Sequence, residues 1–193
     1  MKNYNVEIRA DDVLQYGLWT DQSRKHIRDK TPFELFLEAD KIFEKYQFPC
    51  TLAIITDGIE KFPEWVEHIK KNIHRYNIEL HGSKHYVWMD IPEEQGRQEL
   101  AEAKKLLEDT FGQEVTTWYV PFSRKKAPIW ADKVCKELGL KFPVFRTKVD
   151  CYIWNTKYKR LGYSPFPHAN FHYWHPLQRE QVAEMVEILC GNS

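Results

Sequence analysis

Residues 50–55 read Cys-Thr-Leu-Ala-Ile-Ile, an apolar run with little polar interruption, closed by Thr56-Asp57-Gly58. A strand with one face in water alternates polar and apolar residues. A run apolar throughout suits a strand covered on both faces, which requires helices on either side of a sheet. The flanking sequence supplies them. Thr31-Pro32 is a helix start, with Thr as N-cap and Pro at the first helical position, and Phe33, Phe36, Leu37, Ile42 and Phe43 follow at helical spacing. On the other side, Trp65, Val66, Ile69 and Ile73 give a second amphipathic helix.

The same alternation runs along the chain. A first strand is expected over Val6–Arg9 and a third over Asn77–Leu80, running straight into His81. A helix follows over Glu99–Phe111, with Leu100, Ala103, Leu107 and Phe111 on one stripe and Gly112 as its C-terminal cap. Strands are expected over Val115–Val120 and Leu140–Phe145, separated by a helix from Ile129 to Leu138 that Gly139 closes. A further strand is expected around Cys151–Trp154 and a last one over Asn170–Trp174. The closing helix is Gln178–Leu189, with Val182, Met185, Val186 and Leu189 inward. This order predicts an α/β fold with a largely parallel sheet or barrel, and with no linker in 193 residues the whole of 1–193 reads as a single domain.

Composition removes several function classes. Lys+Arg and Asp+Glu both number 28, so the basic excess of a phosphate-neutralising nucleic-acid binder is missing. No apolar run approaches the ~20 residues that span a bilayer, and the polar start lacks the apolar centre of a signal peptide, so no membrane association and a cytoplasmic location are expected. Cys50, Cys135, Cys151 and Cys190 form no C-x-x-C pair and read as reduced thiols. Neither G-x-S-x-G, G-x-G-x-x-G nor a P-loop occurs, which disfavours serine hydrolase, dinucleotide and P-loop chemistry. The 15% aromatic content serves a core or the walls of a binding groove equally well.

In parallel α/β folds reactive groups gather where strands end. Here those positions carry Asp11 and Asp12, Asp57, His81 and His85, then Tyr119, Pro121 and Arg124, then Arg146 and Asp150, and finally His175. Adjacent Asp11 and Asp12 point in different directions, so one can hold a metal while the other acts as a base; a surface turn is the plainer reading. His81 and His85, four apart, share a face if the segment turns helically, and two imidazoles with one carboxylate make an open metal site. Strand alternation puts Phe171, Tyr173 and His175 on one face and His172 with Trp174 on the other, so His175 is expected to point into the cleft.

Taken in order, these segments resemble the polysaccharide deacetylase family, the carbohydrate esterase group with the chitooligosaccharide deacetylase homology domain. Arg9-Ala10-Asp11-Asp12-Val13 is similar to its first motif, T-F-D-D-G. Leu80-His81-Gly82-Ser83-Lys84-His85 resembles its second, His-x-x-x-His after a short strand. Trp118-Tyr119-Val120-Pro121-Phe122-Ser123 is similar to the third, R-x-P-Y-G, and Phe171-His172-Tyr173-Trp174-His175 to the fifth, L-x-L-x-H.

The resemblance implies a distorted, incomplete (β/α) barrel and a metal-dependent hydrolase that removes an acetyl group from an N-acetylated sugar or a related amide. The alternatives are a small non-sugar amide as substrate, or an inactive carbohydrate-binding relative. By the same resemblance Asp12, His81 and His85 bind a divalent metal, most often zinc. Asp11 is the general base and His175 the general acid, with His172 the other candidate for the acid. The backbone near Tyr119 helps to hold the oxyanion, and Tyr119 and Pro121 contact substrate. Apart from the resemblance, the compact, aromatic-rich chain suggests a shallow groove with Trp154, Trp19 and Trp88 as candidate substrate-binding walls, ordinary packing being the alternative for each. The chain departs from the family at Val13, where the motif has Gly, and at Tyr119, where it has the arginine that holds the base carboxylate. Arg124 and Arg146 are the candidates to replace that arginine, and Asp150 with Trp154 is the trace of the fourth motif.

Overall fold

The computed structural model describes residues 7–16, 30–122, 127–143, 149–150 and 168–191. Trp19, Arg124, Arg146 and Trp154, with the strand expected around Cys151–Trp154, lie outside them. Five strands form one parallel sheet: β1 (Glu7–Val13), β2 (Cys50–Ile55), β3 (Tyr76–Gly82), β4 (Val149–Asp150) and β5 (His168–His172), in the order β3-β2-β1-β5-β4. The helices are α1 (Pro32–Tyr46), α2 (Pro63–Lys71), α3 (Glu93–Phe111), α4 (Ala131–Glu137) and α5 (Pro176–Gly191).

Local chemistry explains the boundaries. α1 starts at a capping box: the Thr31 hydroxyl accepts from the Glu34 N–H, and the Glu34 carboxylate accepts from the Thr31 N–H. Its buried stripe is Leu35, Phe36, Ala39, Asp40 and Phe43. Leu37 is only partly covered. Asp40 takes a place on that stripe because the Arg75 guanidinium donates to both of its oxygens, at 3.2 and 2.9 Å, and His68 lies 3.0 Å away, so the buried charge is paired. α3 begins six residues before Glu99, directly after Pro92, and buries Gly96, Leu100, Ala103, Leu107 and Phe111 before Gly112 caps it at φ 68°. Strand β2 occupies the apolar run Cys50–Ile55 and is buried at every position.

The segments read as strands over 115–120 and 140–145 contribute only bridges, Leu80 to Trp118 and Thr117 to Lys141, both parallel. They continue the sheet beyond β3. Tyr119 therefore stands three strand positions from β1, roughly 14 Å away in a flat sheet. Its hydroxyl nevertheless donates to Glu7 Oε1 at 3.0 Å, and the Arg9 guanidinium lies 3.9 Å from its ring centroid. Only a sheet curled towards a barrel brings these groups together, and this is the distorted, incomplete (β/α) barrel expected. Outside the curl, the core includes the fully buried Trp65, Trp88, Trp118, Tyr173, Phe43 and Phe171. Trp88 is 0% exposed and packs edge-on to Trp118, so it belongs to the core and not to a groove wall. No helix among the described residues is long and apolar enough to cross a membrane.

Candidate active site

Along β1, residues two apart face the same way, so Glu7, Arg9 and Asp11 all look into the curl. In-register parallel neighbours share a face. Arg9 pairs with Asn170 and Asp11 with His172, which aims those two β5 side chains at the same interior. The expectation for β5 is thus reversed. Phe171 and Tyr173 face the helices, where Phe171 stacks on Phe43 and Tyr173 meets Trp65 edge-on. The strand ends at His172 and the chain turns, the His175 N–H donating to the His172 carbonyl at 3.0 Å. Alternation does not extend to His175, because alternation needs extended backbone.

At Asp12 the β1 alternation also breaks. Between Ala10 and Val13 the register with β2 slips by one residue, a bulge, and Asp12 takes the left-handed φ of 62°. Non-glycine residues hold such a conformation only when their surroundings impose it. Here the Tyr173 hydroxyl and the Gln15 N–H both donate to the Asp12 carbonyl, at 3.2 and 3.3 Å. Gly58 packs against the same turn so closely that a Cβ there would lie 1.8 Å from the Leu14 oxygen. The outcome is that two sequential carboxylates serve one site.

His81 closes β3. Gly82 follows at φ 140°, a backbone that only glycine adopts without strain, and its absent Cβ leaves room for Trp88. The tight turn, not a helix, returns His85 towards His81. Glu99 of α3 holds this turn by accepting from the Ser83 hydroxyl at 2.7 Å and from the Tyr86 hydroxyl.

His81 Nε2 and His85 Nε2 lie 3.4 and 3.1 Å from the same Asp12 oxygen, Oδ1. That oxygen is buried and makes no hydrogen bond of acceptable geometry. Three ligand atoms, one from each residue, lie within 4.8 Å of one another. A tetrahedral ion bonded at ~2.0–2.1 Å holds its ligand atoms roughly 3.3 Å apart, so these side chains fit a divalent cation of zinc's size. His81 Nδ1 lies in hydrogen-bonding contact with the Tyr119 carbonyl, which makes it the donor and leaves the Nε2 lone pair facing Asp12. Burial works against ionisation of Asp12, but the nearness of the His81 and His85 imidazoles outweighs it, and the carboxyl is held well below its ordinary range.

Asp11 is 4% exposed. The Arg9 guanidinium grips it from below, Nε to Oδ1 at 2.5 Å and Nη2 to Oδ2 at 3.0 Å, and the Asn170 amide donates to Oδ2 at 2.9 Å. Burial pushes the Asp11 carboxyl up, and the Arg9 charge with its hydrogen bonds overrides this, so it stays ionised far below the usual range. His172 stands beside the cluster at the rim. Its Nε2 is 3.8 Å from Asp12 Oδ2, and its N–H donates to Gln178 Oε1 at 2.7 Å with Nδ1 3.1 Å from the same oxygen.

The residues named from sequence therefore divide. Asp11, Asp12, His81 and His85 come together; His175 stands one turn beyond the strand end, and His172 occupies the rim. Tyr119 is buried, its N–H is taken by the Leu80 carbonyl at 2.8 Å, and its ring covers Arg9. Pro121 is buried beside it. Phe122, next along, is 57% exposed at φ 66° with its ring 4.5 Å from that of His85, and offers the open aromatic surface at this edge of the site. Sequence reading passed over Arg9, Asn170 and Phe122. The available signal for the first was its i, i+2 relation to Asp11 on one strand face.

The polysaccharide deacetylase family profile matches residues 29–143, more than half of the chain. No curated protein sequence matches it. Among solved structures, a family 4 carbohydrate esterase from Streptomyces lividans, in complex with acetate, is 13% identical with a TM-score of 0.69, and the match covers 100% of this chain and 91% of that one. The peptidoglycan deacetylase PdaC from Bacillus subtilis is 12% identical at TM-score 0.68, covering 97% and 84%. A carbohydrate esterase family 4 pseudoenzyme from Bacillus anthracis is 12% identical at TM-score 0.70; this chain is covered fully but spans only 63% of that protein's length. At such identities these neighbours speak for the fold, and the profile, lying across the strand and turn that carry His81 and His85, speaks for descent: the chain belongs to the polysaccharide deacetylase family.

Proposed function

We propose that this protein is a metal-dependent hydrolase that removes the acetyl group from an N-acetylated sugar. The observation that carries the reading is the buried Asp12 Oδ1, without a hydrogen bond of its own and faced by two imidazole Nε2 atoms. Asp12, His81 and His85 would hold a divalent cation, which when bound polarises a carbonyl and acidifies water. Asp11, ionised and fixed by Arg9 and Asn170, accepts the proton of the attacking water. His172 delivers a proton to the departing amine from the rim, where its Nδ1 faces Gln178. Phe122 offers a flat apolar face on which a sugar ring can lie.

The test is metal content with acetate release. Protein loaded with zinc and desalted is expected to carry about one equivalent and to release acetate from the N-acetylglucosamine pentamer. Asp12→Asn is expected to lose the metal, and Asp11→Asn to keep it while losing turnover by about 100-fold or more. Less than a tenth of an equivalent in the parent protein would overturn the reading. Bound metal with turnover only on a small non-sugar amide would replace the sugar as substrate. Pentamer binding without any acetate release would assign the chain to the inactive carbohydrate-binding relatives.

A further inference from the structure

The base carboxylate of this chain has an arginine, but from an unexpected quarter. In the family pattern the arginine stands at the head of the third motif, and here that position is Tyr119. Arg9, at the first-motif position where the pattern has threonine, reaches Asp11 along the same strand face. It is 7% exposed and binds both carboxylate oxygens. Tyr119 is not an idle replacement. The Arg9 guanidinium carbon lies over its ring, 3.9 Å from the centroid, its hydroxyl is tied to Glu7, and its carbonyl engages His81. The ring restricts the guanidinium's movement, and a planar fork held in place aims a carboxylate more sharply than a mobile ammonium does.

We infer that Arg9, clamped between the Tyr119 ring and Asp11, is the positioning residue for the catalytic base, having taken over from β1 the task of the missing third-motif arginine across an exchange of side chains between positions 9 and 119. The catalytic half of this inference rests on the hydrolase reading above; the positioning half is a statement about Asp11 alone. Arg9 is buried beneath Asp11. It acts by holding one rotamer of Asp11, with Asn170 steadying the second oxygen. A base displaced by about an ångström loses on the order of 100-fold in rate, which sets the size of the effect.

The experiment compares Arg9→Thr, Arg9→Lys and the exchange variant Arg9→Thr/Tyr119→Arg, all zinc-loaded, by crystal structure and by kinetics on the N-acetylglucosamine pentamer and on 4-nitrophenyl acetate. Arg9→Thr is expected to turn the Asp11 carboxylate out of its present orientation and to lower kcat about 100-fold with KM changed less than about threefold. Arg9→Lys keeps the charge without the fork and is expected to recover less than a tenth of the loss. The exchange variant restores the family's placement and is expected to re-seat Asp11 and recover at least ten-fold in kcat. Should Arg9→Thr fail to fold, Arg9→Lys and the exchange variant carry the comparison. An unchanged Asp11 orientation in Arg9→Thr, or in Arg9→Lys if that alone folds, overturns the positioning role. So does full recovery by lysine. A parent protein inactive on both substrates while Asp11 moves as expected leaves Arg9 as the holder of that carboxylate and overturns the hydrolase reading instead.

Discussion

The Tyr173 hydroxyl hydrogen-bonds the carbonyl of Asp12 at 3.2 Å, from a ring packed edge-on against Trp65 and Phe36. An aromatic core built by α1 and α2 thereby reaches through β5 to hold a left-handed residue at the candidate metal site. Tyr173→Phe keeps the packing and frees the carbonyl. It is expected to cost about 1 kcal/mol of stability, read by urea denaturation, and to weaken zinc binding about ten-fold, read by competition with a chelating dye.

The two histidines at the end of β5 separate cleanly. His172→Gln removes the rim imidazole near Asp12 and is expected to lower kcat on the N-acetylglucosamine pentamer by about 100-fold or more. His175→Gln, one turn further along, is expected to change it less than about threefold, in keeping with a residue outside the chemistry. The reverse order of the two losses would return the proton-donor role to His175.

Acid should weaken the fold through Asp11. Burial opposes its ionisation, but Arg9 lowers its pKa in the folded state, so the folded protein binds this proton less readily than the unfolded chain does. The stabilisation is complete above the unfolded carboxyl range near pH ~4 and is lost as pH falls from there towards the lower folded value. The Asp11→Asn variant lacks this group and leaves Arg9 buried without its carboxylate, a loss of about 3 kcal/mol at pH 7. The stability gap between parent and variant is expected to narrow below pH ~4, measured by denaturant unfolding of the zinc-free proteins at pH 7 and pH 3.

Glu99 reaches the site through the turn it holds. Its carboxylate accepts from Ser83 and Tyr86, and the Tyr86 hydroxyl is pushed up to about 12, by burial first and then by that bond. Glu99→Ala is expected to leave α3 folded, since the residue is on a partly covered helix face, and to loosen the loop that carries His85. Zinc affinity should fall about ten-fold with a melting shift of only a few degrees.

Legibility followed the range of the interactions. Strand β2 lies over the residues of its apolar run, the stripes of α3 and α5 are buried as their spacing indicates, and the α1 start follows from Thr31 and Pro32. Periodicity and capping are properties of neighbours in sequence, so a linear reading reaches them. Where the reading departs from the structure, a non-local partner decides: Trp88, a candidate groove wall, is in the core because Trp118 covers it.

At the site, strand-end positions and the family resemblance already single out Asp11, Asp12, His81 and His85 in the chain itself. Their juxtaposition and the approach of Tyr119 to Arg9 are decided by the curl of the sheet, and the inward face of β5, which carries His172, by its register with β1; the reach of Arg9 to Asp11 is local, two residues along one strand. Alternation states which residues share a face; only the register between strands and the bulge at Asp12 state which way that face points, because both depend on hydrogen bonds to chain that lies far away in sequence.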